Sequence, residues 1–291
     1  MISVLLNPTA GGRTGHGVRD EIAAALAAAG ISADLIELAS GDDVAARARD
    51  AARRSEIVAG AGGDGTVRAV AAGIAGTGAA LAVFPAGTLN HFARDMKIPA
   101  ALDQAASVIA AGRRVRVDAG DVNGQLFVNN SSIGVYPNAV SIREQLRKSG
   151  HGKWIAMAIA MWRVLRTYRG VTVDLDVNGR QFSARTPFVF VGNNEYIVEG
   201  LRIGARENIA SGKLVVYLAP RITTRQLPML LIRALFGRAV ETHAFEIIPT
   251  TELKIDTRST RRVAVSLDGE TTTLKMPLHY RARPGALEVI A

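Results

Sequence analysis

Along the first third of the chain, short apolar runs alternate with longer amphipathic stretches. Ile2 to Leu6 is an apolar run that stops at Asn7-Pro8, which predicts a buried strand. Val18 to Ala29 is Ala-rich and helical, with Gly30 placed to end it just past its last turn. Ala33 to Leu38 predicts a second strand and Asp42 to Arg54 a second helix. Glu56 to Ala59 predicts a third strand, followed by a glycine loop and a helix from Thr66. Ala80 to Phe84 predicts a fourth, followed by Pro85-Ala86-Gly87-Thr88 and more helix. Strands alternating with helices at this spacing make a parallel sheet covered on both faces.

After about Arg113 the period changes. Arg114 to Val122 alternates, turns at Asn123-Gly124 and returns from Leu126 to Asn129. Val171 to Val177 alternates, turns at Asn178-Gly179 and returns from Phe182. Asn-Gly between alternating runs is a strong hairpin signal. Lys213 to Leu218, His243 to Ile248, Glu252 to Ile255, Arg262 to Leu267 and Leu287 to Ile290 continue the antiparallel character. Helical stretches are expected near 138–148, 154–168 and 224–238. Two domains follow, one α/β and one mostly β, with no repeat or low-complexity linker, and the cleft between them is the default ligand site.

Composition narrows the chemistry. At 291 residues and 48% hydrophobic, the chain can bury a real core and is not disordered. It contains no cysteine, which removes disulfides, zinc–thiolate sites, iron–sulfur clusters and cysteine nucleophiles. Its net charge of +9 points to an anionic partner: nucleotide phosphates, nucleic acid or an acidic membrane surface. Nucleic acid is disfavoured, because aromatics are only 5% and the arginines form no recognisable binding module. The opening residues lack the basic and apolar regions of a signal peptide, and no apolar run approaches the ~20 residues of a membrane span. The expected location is therefore the cytoplasm. The five histidines show no metal-ligand spacing, and no Gly-x-Ser-x-Gly elbow occurs.

The stretch Gly60-Ala61-Gly62-Gly63-Asp64-Gly65-Thr66 carries most information. Gly60, Gly62 and Gly65 satisfy the dinucleotide-binding spacing. That reading needs an acid about 20 residues on, and Ala79 to Ala86 holds none. The loop also lacks the lysine of a P-loop. What remains is a glycine turn whose amides can approach phosphate, feeding a helix N-terminus. Asp64 within it either organises Mg²⁺ beside the phosphates or caps the helix at Thr66. Asn7-Pro8-Thr9-Ala10-Gly11-Gly12-Arg13 follows the first strand, and Pro85-Ala86-Gly87-Thr88-Leu89-Asn90 the fourth. Three such turns at the ends of parallel strands converge on the edge where open α/β sheets bind ligands.

Four motifs, in order, span nearly the whole chain: Asn7-Pro8-x-x-Gly11, Gly62-Gly63-Asp64-Gly65-Thr66, Gly87-Thr88-Leu89-Asn90 with Phe92-Ala93, and Asp268-Gly269-Glu270. The series resembles that of the bacterial diacylglycerol kinase family, which groups with sphingosine and ceramide kinases and more distantly with NAD kinases and phosphofructokinases. The resemblance implies a Rossmann-like three-layer α/β domain with a parallel sheet, an antiparallel β-sandwich domain and an active site in the cleft between them. The expected division is 1–121 for nucleotide, with 278–291 returning to it, and 122–277 for the acceptor.

It further implies an ATP- and Mg²⁺-dependent lipid kinase. Asn7, Pro8, Thr9, Ala10 and Gly11 would hold ATP together with Gly62, Gly63, Asp64, Gly65, Thr66, Val67 and Arg68. Gly87, Thr88 and Asn90 would add contacts, and Ser40 and Arg13 would help. Asp64 would organise Mg²⁺, Glu270 would be the general base, and Asp118 would lie close to that centre. Taken alone, Asp268-Gly269-Glu270 reads as a hairpin turn with its glutamate in water, and only the whole series reverses that. His91 stands where the family usually carries Asp; it is either an acceptor contact or a helix-start residue bonding backbone. Asn193-Asn194-Glu195 is similar to a pair found in NAD kinases, and no structural magnesium site is expected near Gly212-Lys213.

The acceptor would be a lipid alcohol such as diacylglycerol, a sphingoid base or ceramide, met at an anionic membrane surface. Arginines interleaved with apolar residues over 154–169 and 221–238 suit interfacial helices, or equally core helices with solvated arginines. A peripheral position at the inner membrane face follows, and a homodimer is compatible. The other readings are a soluble-substrate kinase of the NAD kinase type and a binding-only relative.

Overall fold

The computed structural model describes residues 2–9, 17–134, 171–197, 205–206, 208–219, 246–257 and 260–291. The helices expected at 138–148, 154–168 and 224–238, with their basic faces, lie outside the described residues, as do Ala10, Gly11 and Arg13.

Four strands, β1 (Ile2–Leu6), β2 (Ala33–Glu37), β3 (Ile57–Gly62) and β4 (Ala80–Pro85), pair in parallel in the order β2-β1-β3-β4. Their burial is nearly continuous in β1, β3 and β4, as expected of strands covered on both faces. Helix α1 (Gly17–Ala28) lies beside α5 (Leu102–Ala111), and α2 (Val44–Ala52) beside α3 (Asp64–Ile74). The short α4 (His91–Asp95) follows β4. Strand order reverses between β1 and β3, so the loops after these two strands flank a topological switch point.

Strand β3 runs two residues past Gly60, although glycine disfavours strands. Pairing on both sides explains it: Gly60 sits opposite Leu5 of β1 and Val83 of β4. The glycine loop is correspondingly shorter, and α3 starts at Asp64 rather than Thr66.

The remaining strands are β5 (Arg114–Val122), β6 (Gln125–Phe127), β7 (Asn130–Gly134), β8 (Val171–Val177), β9 (Arg180–Thr186), β10 (Phe188–Asn193), β11 (Leu214–Leu218), β12 (Glu246–Thr250), β13 (Glu252–Asp256), β14 (Arg262–Leu267), β15 (Glu270–Lys275) and β16 (Leu278–Ile290). Strand β16 extends the parallel sheet: Val289 pairs with Leu81 of β4, and its other end pairs with β13, which leads on to β8 and β9. The pattern in the sequence marked only its last four residues. Pro284-Gly285 interrupts the alternation, and the pairing with β5 shifts between Arg283 and Leu287, a bulge that keeps the strand continuous.

A second, six-stranded sheet runs β12-β11-β10-β7-β14-β15 with antiparallel pairing. It packs against the β5–β16–β13–β8 part of the long sheet, around Phe127, Ile133, Leu175, Val191, Leu253 and Tyr280. This is the β-sandwich. Its hairpins at Asn123-Gly124, Asn178-Gly179 and Asp268-Gly269 all place both turn residues at positive φ, the type I′ geometry that matches strand twist.

The tyrosines of the β domain, Tyr280 in the sandwich core and Tyr196 and Tyr217 packed on Phe190, carry a pH signature. Burial pushes the Tyr196 phenol up to about 12 and also raises Tyr217 and Tyr280, the last hydrogen-bonded to Ser131 at 3.0 Å. Such phenols support the fold while they are protonated in both states. Above about pH 10 the unfolded chain ionises first, so stability is expected to fall as pH rises from about 10 towards 12. Thermal melts across that range, with phenolate absorbance followed in parallel, check this. Full tyrosine ionisation near pH 10 in a still-folded protein would contradict it.

Candidate active site

The site is built where β1 and β3 end. Asn7 closes β1 by donating its backbone N–H to Ala61 O at 2.9 Å. Its side-chain oxygen accepts from Thr9 N and Thr9 Oγ1 at 3.0 and 2.9 Å, which folds the chain over at Pro8. Its Nδ2 reaches Thr66 Oγ1 at 3.4 Å, so the first and second glycine motifs touch through these two side chains.

Gly63 is the N-cap of α3, with no side chain to satisfy the helix's first amides. That leaves donors at the helix N-terminus, the arrangement that favours anions. The third motif lies directly against it: a Cβ on Gly87 would overlap the Gly63 backbone. Asn90, in the left-handed conformation, ties this loop by exchanging hydrogen bonds with Gly87 N and O at 3.0 Å each. Asp64 does not cap its own helix. It lies in the first turn and accepts from Phe92 N at 3.1 Å, joining α3 to the start of α4.

The fourth motif arrives from the other sheet. The Asp268-Gly269 turn joins β14 to β15, and Glu270 is the first residue of β15. Its carboxylate lies against α3: a Cβ on Gly65 would overlap it, and Arg68 Nη2 donates to Oε2 at 2.7 Å. Asn7, Gly65, Thr66, Arg68 and Glu270 line one cavity of about 550 Å³, walled on other sides by Asp42–Ala45 of the second loop and helix and by the Gly124–Leu126 hairpin.

Asp268 is anchored rather than exposed. It is 8% accessible, and its two oxygens accept from Val128 N, Asn129 N and Asn130 N at 2.8, 2.7 and 2.9 Å. Burial raises its pKa, against the opposing pull of the three amides and Arg68.

Not every expected residue is brought to the cavity. Asp118 is buried, and its oxygens accept from Gly212 N at 2.6 Å and Gly285 N at 2.9 Å; it clamps backbone rather than lining the cavity. The Val67 side chain is packed in the α/β core, so only its backbone can face a ligand. Ser40 and His91 are exposed and line no part of that cavity, with His91 the first residue of α4. Thr88 is exposed on the third loop.

One contributor carried no signal in the sequence. Arg206, whose side chain is 1% exposed, donates to Asp95 at 2.7 Å, to Val128 O and Asn193 O at 2.7 and 3.0 Å, and to Asn129 Oδ1 at 2.7 Å. Its guanidinium also lies 5.6 Å from the Tyr196 ring centre. Arg206 thus joins the end of α4 to the same 128–130 segment that Asp268 grips. A buried arginine flanked by ordinary residues looks, in sequence, like a solvated one.

Among the described residues no three His, Asp or Glu side chains gather to cage a metal, and no helix is long and apolar enough to cross a membrane. The carboxylates that line the cavity are Asp42, Asp43 and Glu270, and Asp64 stands one residue before its lining residue Gly65; Mg²⁺ needs only one or two carboxylates and completes its shell with phosphates and water.

Residues 1–122 match the family model of the diacylglycerol kinase catalytic domain, and residues 132–291 that of the YegS C-terminal NAD kinase beta sandwich-like domain. A probable lipid kinase YegS-like protein of Pseudomonas syringae pv. syringae is 31% identical over 252 residues, 82% of this chain and 76% of its own length. A diacylglycerol kinase of Bacillus subtilis is 24% identical over 234 residues, 79% and 76% of the two chains. A putative diacylglycerol kinase of Bacillus anthracis shares the fold, with a TM-score of 0.77 over 99% of this chain and 96% of its own at 23% identity.

Proposed function

The chain belongs to the diacylglycerol kinase family and is a kinase, and from that premise we propose that it transfers the γ-phosphate of ATP to the hydroxyl of a lipid alcohol, with Glu270 as general base. The observation that carries this reading is the placement of Glu270. A residue from the second sheet lies against Gly65 at the N-terminus of α3, in one cavity with Asn7 and Thr66.

Phosphoryl transfer asks for positioning and charge neutralisation more than covalent chemistry. In this reading the turns at Asn7–Thr9 and Gly62–Thr66 hold the nucleotide phosphates, with Gly87, Thr88 and Asn90 bracing them. Asp64 would hold Mg²⁺, which when bound offsets charge on the transferring group. Glu270 takes the proton from the acceptor hydroxyl as that oxygen bonds to the γ-phosphorus; the bond to the β,γ-bridging oxygen breaks and ADP leaves. His91, exposed one residue before the amide that holds Asp64, is assigned to the acceptor side. The lipid acceptor is supported by the relatives named lipid kinase and diacylglycerol kinase.

Transfer of labelled phosphate from Mg-ATP to diacylglycerol, sphingosine, ceramide, monoacylglycerol and NAD in anionic micelles tests the proposal. Label is expected on a lipid. Label on NAD alone would move the chain to a soluble acceptor, and no product with intact ATP binding would leave a binding-only relative.

A further inference from the structure

Gly65 and Arg68 are one helical turn apart on α3 and so share a flank of the helix. Both meet the same carboxylate. A Cβ at Gly65 would overlap Glu270, and Arg68 donates to it at 2.7 Å. The two partners are unequal: the Arg68 side chain is 17% exposed and that of Glu270 is 58% exposed. The turn at Asp268 brings Glu270 to α3, but its carboxylate is largely exposed there, so the more enclosed arginine fixes where it lies.

Tying the sheets together does not explain this contact. Arg206 already joins α4 to the β6–β7 segment, with Nε, Nη1 and Nη2 all bonded. Arg68 is different, because its Nε is buried with no hydrogen-bond partner among the described residues. An ion pair kept for stability would satisfy that donor. Departures of this kind gather at functional sites.

We propose that Arg68 is the positioning residue of Glu270, with the bare flank of Gly65 as the seat that lets the carboxylate lie at the start of α3. This rests on the reading of Glu270 as general base. Arg68 therefore acts on the reaction through Glu270 rather than as an independent phosphate contact.

The test compares wild type, Arg68→Met, Glu270→Gln and the double variant, with a short-chain diacylglycerol or whichever lipid takes label as acceptor. ADP affinity is measured by calorimetry on each, and melting confirms that each is folded. Arg68→Met is expected to lower kcat by about 10–100-fold, the cost of a misplaced catalytic group, while the Kd for ADP changes by less than about threefold. In the Glu270→Gln background the same change should cost less than about twofold more, because a positioning residue has nothing left to position. Arg68→Lys should recover part of the lost kcat, and Gly65→Ala should reproduce the loss from the other side. Equal losses from Arg68→Met in both backgrounds, or a parallel loss of ADP affinity, would overturn the proposal. Undiminished turnover in Glu270→Gln would instead remove the general base itself, and the positioning role with it.

Discussion

Replacing Glu270 by Gln is expected to lower turnover by about 10²–10⁴-fold, the usual contribution of a positioned general base, with ADP affinity changed less than about threefold. Gln is nearly isosteric, and its amide oxygen can still accept from Arg68, so the side chain keeps its seat beside Gly65. What it loses is the ability to take a proton. Because Asn7, Gly63 and Thr66 are untouched, the nucleotide side of the cavity is unaltered. Single-turnover phosphate transfer separates the chemical step from product release. A variant within about threefold of wild type would remove Glu270 from this role, since a group that only binds substrate does not govern kcat.

How much of this could be read without coordinates depended on the range of each interaction. The parallel strands, the Gly30 stop and the Asn-Gly hairpins are local matters, and the pattern of residues placed them within a few positions. Three glycine turns following three predicted strands also located the switch-point edge. Contacts across the fold were beyond reach. Arg68 and Glu270 are separated by 202 positions, and nothing in either segment names the other. Asp118, which the resemblance implies lies close to the catalytic centre, holds the amides of Gly212 and Gly285, which only the folded chain brings near. Strand β3 outran its prediction because neighbours on both sides outweigh the low strand preference of glycine, and local propensity contains no neighbours. Gly65 of the second motif serves a packing need set by a residue near the other end of the chain, which the motif itself does not reveal.

The Asp268-Gly269 turn shows the same division between local and distant causes. As a hairpin turn it is legible, and both residues take positive φ as that turn requires. Its anchoring is not. Asp268 donates its backbone N–H to Asn130 O at 2.9 Å and accepts three backbone N–H groups from residues 128–130. Water has little access to these amides, because Asp268 is buried along with Val128 and Asn129. Asp268→Ala would orphan three amides, two of them buried and one partly buried, and place Ala at φ 49. The expected loss is about 3–5 kcal/mol, a large share of the roughly 5–15 kcal/mol typical of a domain. Asp268→Asn should lose less, since it keeps one acceptor oxygen and tolerates positive φ. Urea unfolding of the three proteins orders them wild type, Asn, Ala. A loss below about 1 kcal/mol for Ala would mean that the 128–130 segment finds other partners. Turnover should fall further than stability alone accounts for, because β15 begins at Glu270 and the turn that Asp268 pins is what delivers the carboxylate to Gly65 and Arg68.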